Sequence, residues 1–376
     1  YKALIERTGI DPALLTEVYA GCGNQGGEDN RDVARMSVLL AGLPKEVPGT
    51  TVNRNCSSAL EAVNLAAKTI LVGEGDLAIG SGVECMSRAP WAMMKPERLP
   101  TTSPPKLWDT TVGWRYNNPK LDALYPIVSL GETAENIAED IGISREDQDA
   151  FAVESHRRAV TAIDDGKFAD EIVPIEIPQR KGDAIIVDTD EHPRYRQENG
   201  HYVLDTSVED MAKLKPAFRK GGTVTAGNSS GINDGAAAVL MMDADKAIEL
   251  KLKPMVRWLG SASAGVDPGV MGYGPVPATE KLLKRLDLAI DDIGLIELNE
   301  AFAAQSIGCM RRLGLKPEIT NVNGGAIALG HPTGISGARI LVTLDGVLRR
   351  IGGELGVASI CGGGGVTTAM VVRRES

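Results

Sequence analysis

One cysteine stands in TVNRNCSSALEAVNLAAKTI, residues 51–70, where a polar turn gives way to a run rich in alanine and leucine. With a strand over residues 51–53 and a helix opening at Ser57, Cys56 falls at a helix N-terminus. Free N–H groups and the helix dipole there favour a thiolate, the following serines can cap, and Arg54 adds positive charge. The competing assignment is a small buried cysteine. A histidine, His331, lies in GGAIALGHPTGISGAR between glycines and a proline, just before a helix near Gly334. Such a bent backbone projects an imidazole into a cavity more readily than into a core, although a turn histidine bonded to a carbonyl fits the same pattern. As a general base it can take the Cys56 proton.

Two further segments carry chemistry. Cys361 follows the apolar LGVASI and precedes four glycines. The N–H groups of residues 362–365 can bind an oxyanion, and the alternative is a phosphate-cradling turn with an incidental cysteine. In ELNEAFAAQ, Asn299 and Glu300 stand where a helix follows the apolar GLIEL. Asn299 reads either as an N-cap or as the holder of a water that donates to an enolate or thioester oxygen.

The elements that must position these groups alternate between strand and helix. A short helical start and a buried strand fill DPALLTEVYAGCGNQ, and DNRDVARMSVLLAGLP is a helix with Val33, Met36, Val38 and Leu39 on one face. A helix from Ser57 to Val72 leads to a buried strand in GDLAIGSGVECMS. Residues 86–232 differ, with proline clusters, three of the four tryptophans and long charged segments. Within them SREDQDAFAVESHRRAVTAID is an amphipathic helix with Phe151, Val153 and Ala159 among its charges, and PRYRQENGHYVLDTSVEDMAKLKPAF reads as surface loop and short helix. This block is expected to be an insertion that covers the site. Alternation resumes near residue 254. CSSALEAVNLAAKTILVGEGDLAIGSG and GISGARILVTLDGVLRRIGGELGVASICGG share one plan, a small-residue start, an Ala/Leu helix, a turn and a strand ending in glycines. That echo suggests a pseudo-twofold α/β protein with ligands bound at the strand ends.

Bulk properties exclude several classes. Glycine supplies 43 of 376 residues and is clustered, which argues for tight turns and close backbone approach. A net charge of −10 disfavours nucleic acid as a partner. No apolar run reaches the length of a membrane span. Five cysteines, odd in number and without a CxxC, argue against a disulfide framework or zinc site and for a reducing, cytoplasmic setting. The chain opens at Tyr1 in what reads as mid-helix, so preceding sequence is expected, and a removed targeting segment is compatible with that.

NRNCSSALEAV, NEAFAAQ, NGGAIALGHPTGISGAR and CGGGG together resemble the thiolases, the acetyl-CoA acyltransferases, and TAGNSSGINDGAAAV resembles their pantetheine-contacting segment. GCGNQGGEDNRDVARM and DTTVGWRYNNP are similar to the branch with 3-oxoadipyl-CoA thiolases and general degradative acyltransferases of fatty-acid and aromatic breakdown. The resemblance implies a five-layer αβαβα fold of two similar halves, residues 1–85 with 233–253 and residues 254–376, and a loop domain over 86–232. It implies Cys56 as the nucleophile, His331 as its activator and Cys361 as the acid/base on the α-carbon. The N–H groups of Cys56 and Gly363 would form one oxyanion hole, and His331 with an Asn299-held water the other. Ser230, Phe302, Ala301 and Leu130 would contact the CoA and acyl chain. Acyl-CoA and CoA would be substrates, with no cofactor or metal, in a homodimer or homotetramer.

Two departures stand out. Ala59 replaces a usual glycine, and its methyl, close to the thiol, is expected either to narrow the acyl pocket or to slow turnover. Thr367 replaces the third of the alternating glycines after Cys361. A scaffold subunit that only binds acyl-CoA, or a ketoacyl-synthase-type condensing enzyme, are the rival readings. The second would need another histidine where Cys361 stands. A dicarboxylic substrate would want a cation at the acyl end, for which Arg88 and Arg115 are candidates, although the pattern favours a solvated or phosphate-contacting role for either.

Overall fold

The computed structural model describes residues 1–96, 104–125 and 127–375. The first part of the chain gives helix α1 (Lys2–Thr8), strand β1 (Glu17–Gly21), α2 (Val33–Leu40), β2 (Gly49–Val52), α3 (Ser58–Leu71) and β3 (Leu77–Cys85). A long excursion follows, with β4 (Trp91–Met93), β5 (Leu107–Asp109), α4 (Pro119–Leu124), α5 (Leu130–Asp140), α6 (Arg145–Asp164), β6 (Ile175–Ile177), β7 (Ile185–Val187), β8 (Tyr195–Glu198), β9 (His201–Leu204) and α7 (Val208–Ala212). The chain then returns through β10 (Asp234–Met242) and α8 (Ala244–Glu249). The remainder is β11 (Val256–Gly265), α9 (Pro275–Leu286), β12 (Leu295–Leu298), α10 (Ala303–Leu313), α11 (Ala326–Leu329), α12 (Ser336–Ile351), β13 (Leu355–Gly362) and β14 (Val366–Arg374).

Two four-stranded sheets form the body, in the orders β10-β3-β1-β2 and β11-β14-β13-β12. Each is mixed: β1 runs parallel to β2 and β3 while β10 is antiparallel to β3, and β12 runs parallel to β13 while β14 is antiparallel to β13. Helix α3 packs on the first sheet and α12 on the second, and the two helices pack on each other between the sheets. Helix α2 covers the outer side of β1 and β2, and α9, flanked by α10, covers the outer side of the second sheet. The result is five layers, αβαβα. The sequence echo corresponds to a real equivalence, because α3 leading to β3 and α12 leading to β13 occupy matching places in the two sheets.

The middle layer explains why both helices begin with small residues. Ser58, Ala59, Leu60, Ala62 and Val63 are buried, as are Ser336, Gly337, Ala338, Ile340 and Leu341. A β-carbon on Gly337 would overlap the backbone amide of Leu60, so the two first turns meet backbone to backbone. The methyl of Ala59 lies 2.8 Å from where a Gly82 β-carbon would sit, beside Ile335. This methyl therefore fills a helix–sheet contact, which corrects the expectation that it narrows an acyl pocket. Thr367 is fully buried in β14, where its hydroxyl donates to the Ile360 carbonyl at 2.7 Å and ties β14 to β13.

Several local expectations need correction. Strand β2 stops at Val52, one residue short of the anticipated end. Helix α2 buries Val33, Ala34 and Val38, while Leu39 is exposed, because the face is set by the sheet beneath it. Helix α6 buries Ala152, Ser155, His156, Ala159 and Val160, whereas Phe151 and Val153 are only half-buried. The stretch expected to be loop before α7 contains the β8–β9 hairpin, turned by Asn199 and Gly200 at positive φ. Gly337→Ala is predicted to destabilise the protein by about 1–3 kcal/mol, the usual cost of overpacking. Urea titration should show a lower midpoint at unchanged slope.

Candidate active site

Cys56 sits between β2 and α3, after Asn55, whose φ of 50° lies in the left-handed region. Asparagine tolerates this conformation better than most residues. The two serines do not cap α3. The Ser57 hydroxyl donates to the Ile360 carbonyl at 3.1 Å, and the Ser58 hydroxyl donates to the Asn55 carbonyl at 2.5 Å while accepting the Arg54 N–H at 2.8 Å. The hydroxyls thus fasten the Cys56 turn to β13 and to itself, and this is a correction to the capping role. Arg54 points away to Glu61 at 2.9 Å.

The backbone N–H groups of Gly363 and of Cys56 itself lie near the Cys56 sulfur and favour its charged form. The Asn55 side-chain amide donates to the Gly363 carbonyl at 2.6 Å and so fixes that peptide. The turn after Cys361 closes with the Gly365 N–H on the Gly362 carbonyl at 3.1 Å. Gly364 and Gly365 both have φ of 82°, a region open to glycine at no steric cost. Despite the two N–H groups, burial pushes the Cys56 thiol up to about 11, with the Glu84 carboxylate adding to the rise. The helix N-terminus does not yield a resting thiolate here, because full desolvation outweighs it. The Cys361 thiol is also raised, first by burial and then by the nearby Cys56 and Cys309 thiols.

His331 follows Gly330, and its N–H donates to the Asn233 side-chain oxygen at 3.3 Å. The Ser336 hydroxyl donates to the Pro332 carbonyl at 3.0 Å, so its oxygen is left to accept from His331 Nδ1–H at 2.6 Å. That assignment leaves the lone pair on Nε2, which has no hydrogen-bond partner among the described residues. Burial, then the Arg339 charge, lowers His331 to about 4, so the imidazole is neutral at pH 7. Its loop lies on the first turn of α3, since Gly334 and Ile335 press on Gly82 beside Ala59. Glu84 ties the same loop to the end of β1, accepting from Thr333 Oγ1 at 3.1 Å, Gly23 N at 2.7 Å and Asn24 N at 3.1 Å.

Asn299 is not an N-cap, because α10 starts only at Ala303. It is fully buried, and neither its Oδ1 nor its Nδ2 has a partner among the described residues. Glu300 instead accepts from Ser155, Asn321 and the Ile327 N–H. One strand position below Asn299 on the same face, Glu297 is buried and pushed up to about 8, since the Arg339 guanidinium at 3.7 Å offsets only part of the desolvation. The segment holding Ser230 pairs antiparallel with the start of α10: Ser230 N–H donates to the Ala301 carbonyl at 3.0 Å and Ser229 bridges Phe302. Ala301, Phe302 and Leu130 pack in one cluster with Cys361, and Phe218 meets Phe302 edge to face at 6.0 Å.

A family model described as thiolase, N-terminal domain, matches residues 1–245, and one described as thiolase, C-terminal domain, matches residues 252–374. The chain belongs to the thiolase family. A beta-ketoadipyl-CoA thiolase of Acinetobacter baylyi is 50% identical over 375 residues, 99% of this chain and 91% of that protein. The crystal structure of the Bacillus anthracis acetyl-CoA acetyltransferase superposes with a TM-score of 0.90 at 40% identity, covering 100% of this chain and 91% of the other. Human mitochondrial 3-ketoacyl-CoA thiolase in complex with CoA gives 0.88 at 38% identity, covering 100% and 90%. This thiolase is accordingly a CoA-dependent acyltransferase, and the rival scaffold and ketoacyl-synthase readings fall away.

Residue patterns alone did not single out Ser336, Asn233, Asn55 or Glu84. Asn233, Asn55 and Glu84 work through geometry that links distant segments, whereas Ser336 bonds locally to His331 and Pro332 inside a motif already noted. Of the two candidate cations, Arg88 is an exposed partner of Glu28 at 2.6 Å, and Arg115 lies beside Asn24. No described helix is long and apolar enough to cross a membrane. Because the Cys56 thiol is held near 11, its alkylation by chloroacetamide is predicted to climb with pH through 9 without levelling. Mass spectrometry of the Cys56 peptide reads this, and a plateau below pH 9 would contradict it.

Proposed function

We propose that this thiolase cleaves 3-oxoadipyl-CoA with CoA, giving acetyl-CoA and succinyl-CoA, or runs the reverse condensation, through an acyl group on Cys56. The observation that carries the reading is the shared setting of the two thiols. The Cys56 sulfur faces its own N–H and that of Gly363, and Cys56 is close enough to Cys361 to raise the Cys361 thiol. The substrate assignment is supported by the roughly half-identical relatives named beta-ketoadipyl-CoA thiolase.

In the first half-reaction the neutral His331 Nε2 takes the Cys56 proton as sulfur attacks the 3-oxo carbon. The new C–S bond places negative charge on oxygen, which the Cys56 and Gly363 N–H groups receive; each such donor contributes about 10²–10³ in rate. The C2–C3 bond then breaks, its electrons pass to the thioester enolate, and Cys361 donates the proton that makes acetyl-CoA. His331 with a water on Asn299 steadies the enolate oxygen, which fits two buried side chains whose polar atoms lack partners. In the second half-reaction the Cys361 thiolate takes the proton of CoA, the CoA sulfur attacks the acyl carbon, and Cys56 leaves with the proton held by His331. Each group regains its starting protonation state: the Cys56 proton returns through His331, and the CoA proton replaces the one that Cys361 gave to acetyl-CoA. Ping-pong kinetics follow from the covalent intermediate.

Ser230, Ala301, Phe302 and Leu130 line the approach of the pantetheine arm in this reading. CoA and acyl-CoA are substrates, and the chemistry assigned to cysteine and histidine calls for no metal or cofactor. We assign residues 1–85 with 233–253 and residues 254–376 to the two halves and 86–232 to the loop domain. We place the enzyme in the cytoplasm as a homodimer or homotetramer, as the family resemblance implies. Cys361→Ala is expected to accept acetyl from acetyl-CoA, with an acetyl mass on the Cys56 peptide, while carbon–carbon cleavage falls by at least about 10². Cys56→Ala should lose both. Near-normal cleavage by the Cys361 variant would sink the assigned roles.

A further inference from the structure

We infer that Arg115 reads the distal carboxylate of a dicarboxylic acyl group on Cys56, with the Trp114 ring as the wall along which the chain runs. The inference rests on the substrate reading above. Three contacts place these residues. The Trp114 ring lies 3.5 Å from where a β-carbon would stand on Gly363, and also 3.5 Å from one on Gly364. It therefore covers the outer face of the turn that donates an N–H to the Cys56 sulfur. The Trp114 indole N–H donates to the Val128 carbonyl at 3.2 Å, which fixes the ring, and Leu130 lines the same turn. The next residue, Arg115, donates from Nη2 to the Asn24 side-chain oxygen at 2.8 Å.

Asn24 belongs to the site wall. Its N–H donates to Glu84, and its side-chain amide donates to Thr110. The preceding Gly23 carbonyl accepts from the Asn53 side chain at 3.0 Å, and Asn53 Oδ1 accepts the Asn55 N–H at 2.9 Å. A continuous chain of hydrogen bonds thus runs from the nucleophile turn to the Arg115 guanidinium. The CoA-contacting segment enters from the α10 side, through Ser230, Ala301 and Phe302. Arg115 is held at the other end, beyond β1, through its bond to Asn24.

Charge singles Arg115 out. Arg54, on the nucleophile turn, is paired with Glu61, and Arg88 with Glu28. Arg115 has an amide oxygen as its partner and no carboxylate within ion-pair distance among the described residues. It is half-buried and stays cationic, as a guanidinium does in proteins. One Nη group is taken by Asn24, and the remaining N–H groups suit a carboxylate. After the first half-reaction on 3-oxoadipyl-CoA, Cys56 carries a succinyl thioester, whose carboxylate is two methylenes from the acyl carbon. Glu84 is close to this path, but its oxygens are occupied by Gly23, Asn24 and Thr333.

The test compares 3-oxoadipyl-CoA with 3-oxohexanoyl-CoA, equal in chain length and differing by the end charge. Arg115→Met, in the full-length enzyme, should lose about 10- to 100-fold in kcat/KM for 3-oxoadipyl-CoA, the range expected for a charged hydrogen bond. Its thiolysis of 3-oxohexanoyl-CoA and its acetylation by acetyl-CoA should be unchanged, and Arg115→Lys should recover part of the loss. Equal losses on both substrates, or none on either, would overturn the role of Arg115. A wild-type enzyme that does not favour 3-oxoadipyl-CoA would instead overturn the substrate reading, and the inference with it.

Discussion

Helices α3 and α12 meet backbone to backbone between two sheets, and the rest of the molecule is arranged around that contact. Gly337 permits it, since any side chain there would collide with the Leu60 amide. The nucleophile turn precedes one helix and the His331 loop precedes the other, so helix packing sets the relation between these two loops. Cys361 joins them because β13 lies under α12 and its end is bonded to the Ser57 hydroxyl. A site assembled from three distant segments thus inherits its precision from the packed middle layer.

The electrostatic character of the site follows from its dryness. Burial raises both thiols and lowers the imidazole, so the resting groups are neutral. In the proposed mechanism charge would develop only as the reaction proceeds, beside the N–H groups of Cys56 and Gly363. Holding polar groups in such a place costs stability: Asn299 is buried without a partner among the described residues, and the unpartnered atoms of His331 and Glu297 both feel the Arg339 charge. This is local disharmony of the kind that functional sites carry.

Much of this was legible in the sequence. The α/β alternation and the internal echo gave the layered architecture, because Ala/Leu helices and small-residue strands have few other ways to pack. The candidate residues were legible because cysteine and histidine are scarce and stand beside glycine turns. Signals of local kind misled in specific places. Ser57 and Ser58 look like caps, yet their hydroxyls have carbonyl partners on β13 and Asn55. Asn299 looks like a cap, yet the helix starts later. The thiolate expected of a helix N-terminus is cancelled by desolvation, which depends on what other segments cover and cannot be seen in the local pattern. Glu84 and Asn55 escaped for the same reason, since their partners Thr333 and Gly363 lie on loops that meet only in the folded chain, whereas Ser336 bonds His331 and Pro332 within its own loop.

Strands β3 and β10 are direct antiparallel neighbours, with Cys85 opposite Asp234. The excursion between them leaves and rejoins the sheet at one point, which Asp234 clasps through the Ser87 N–H at 2.9 Å. Topologically it is an outsized hairpin loop. Insertions, deletions or wholesale exchange of that loop leave the strand register untouched, so lineages of this architecture can remodel what lies above the crevice while the reaction machinery beneath stays constant.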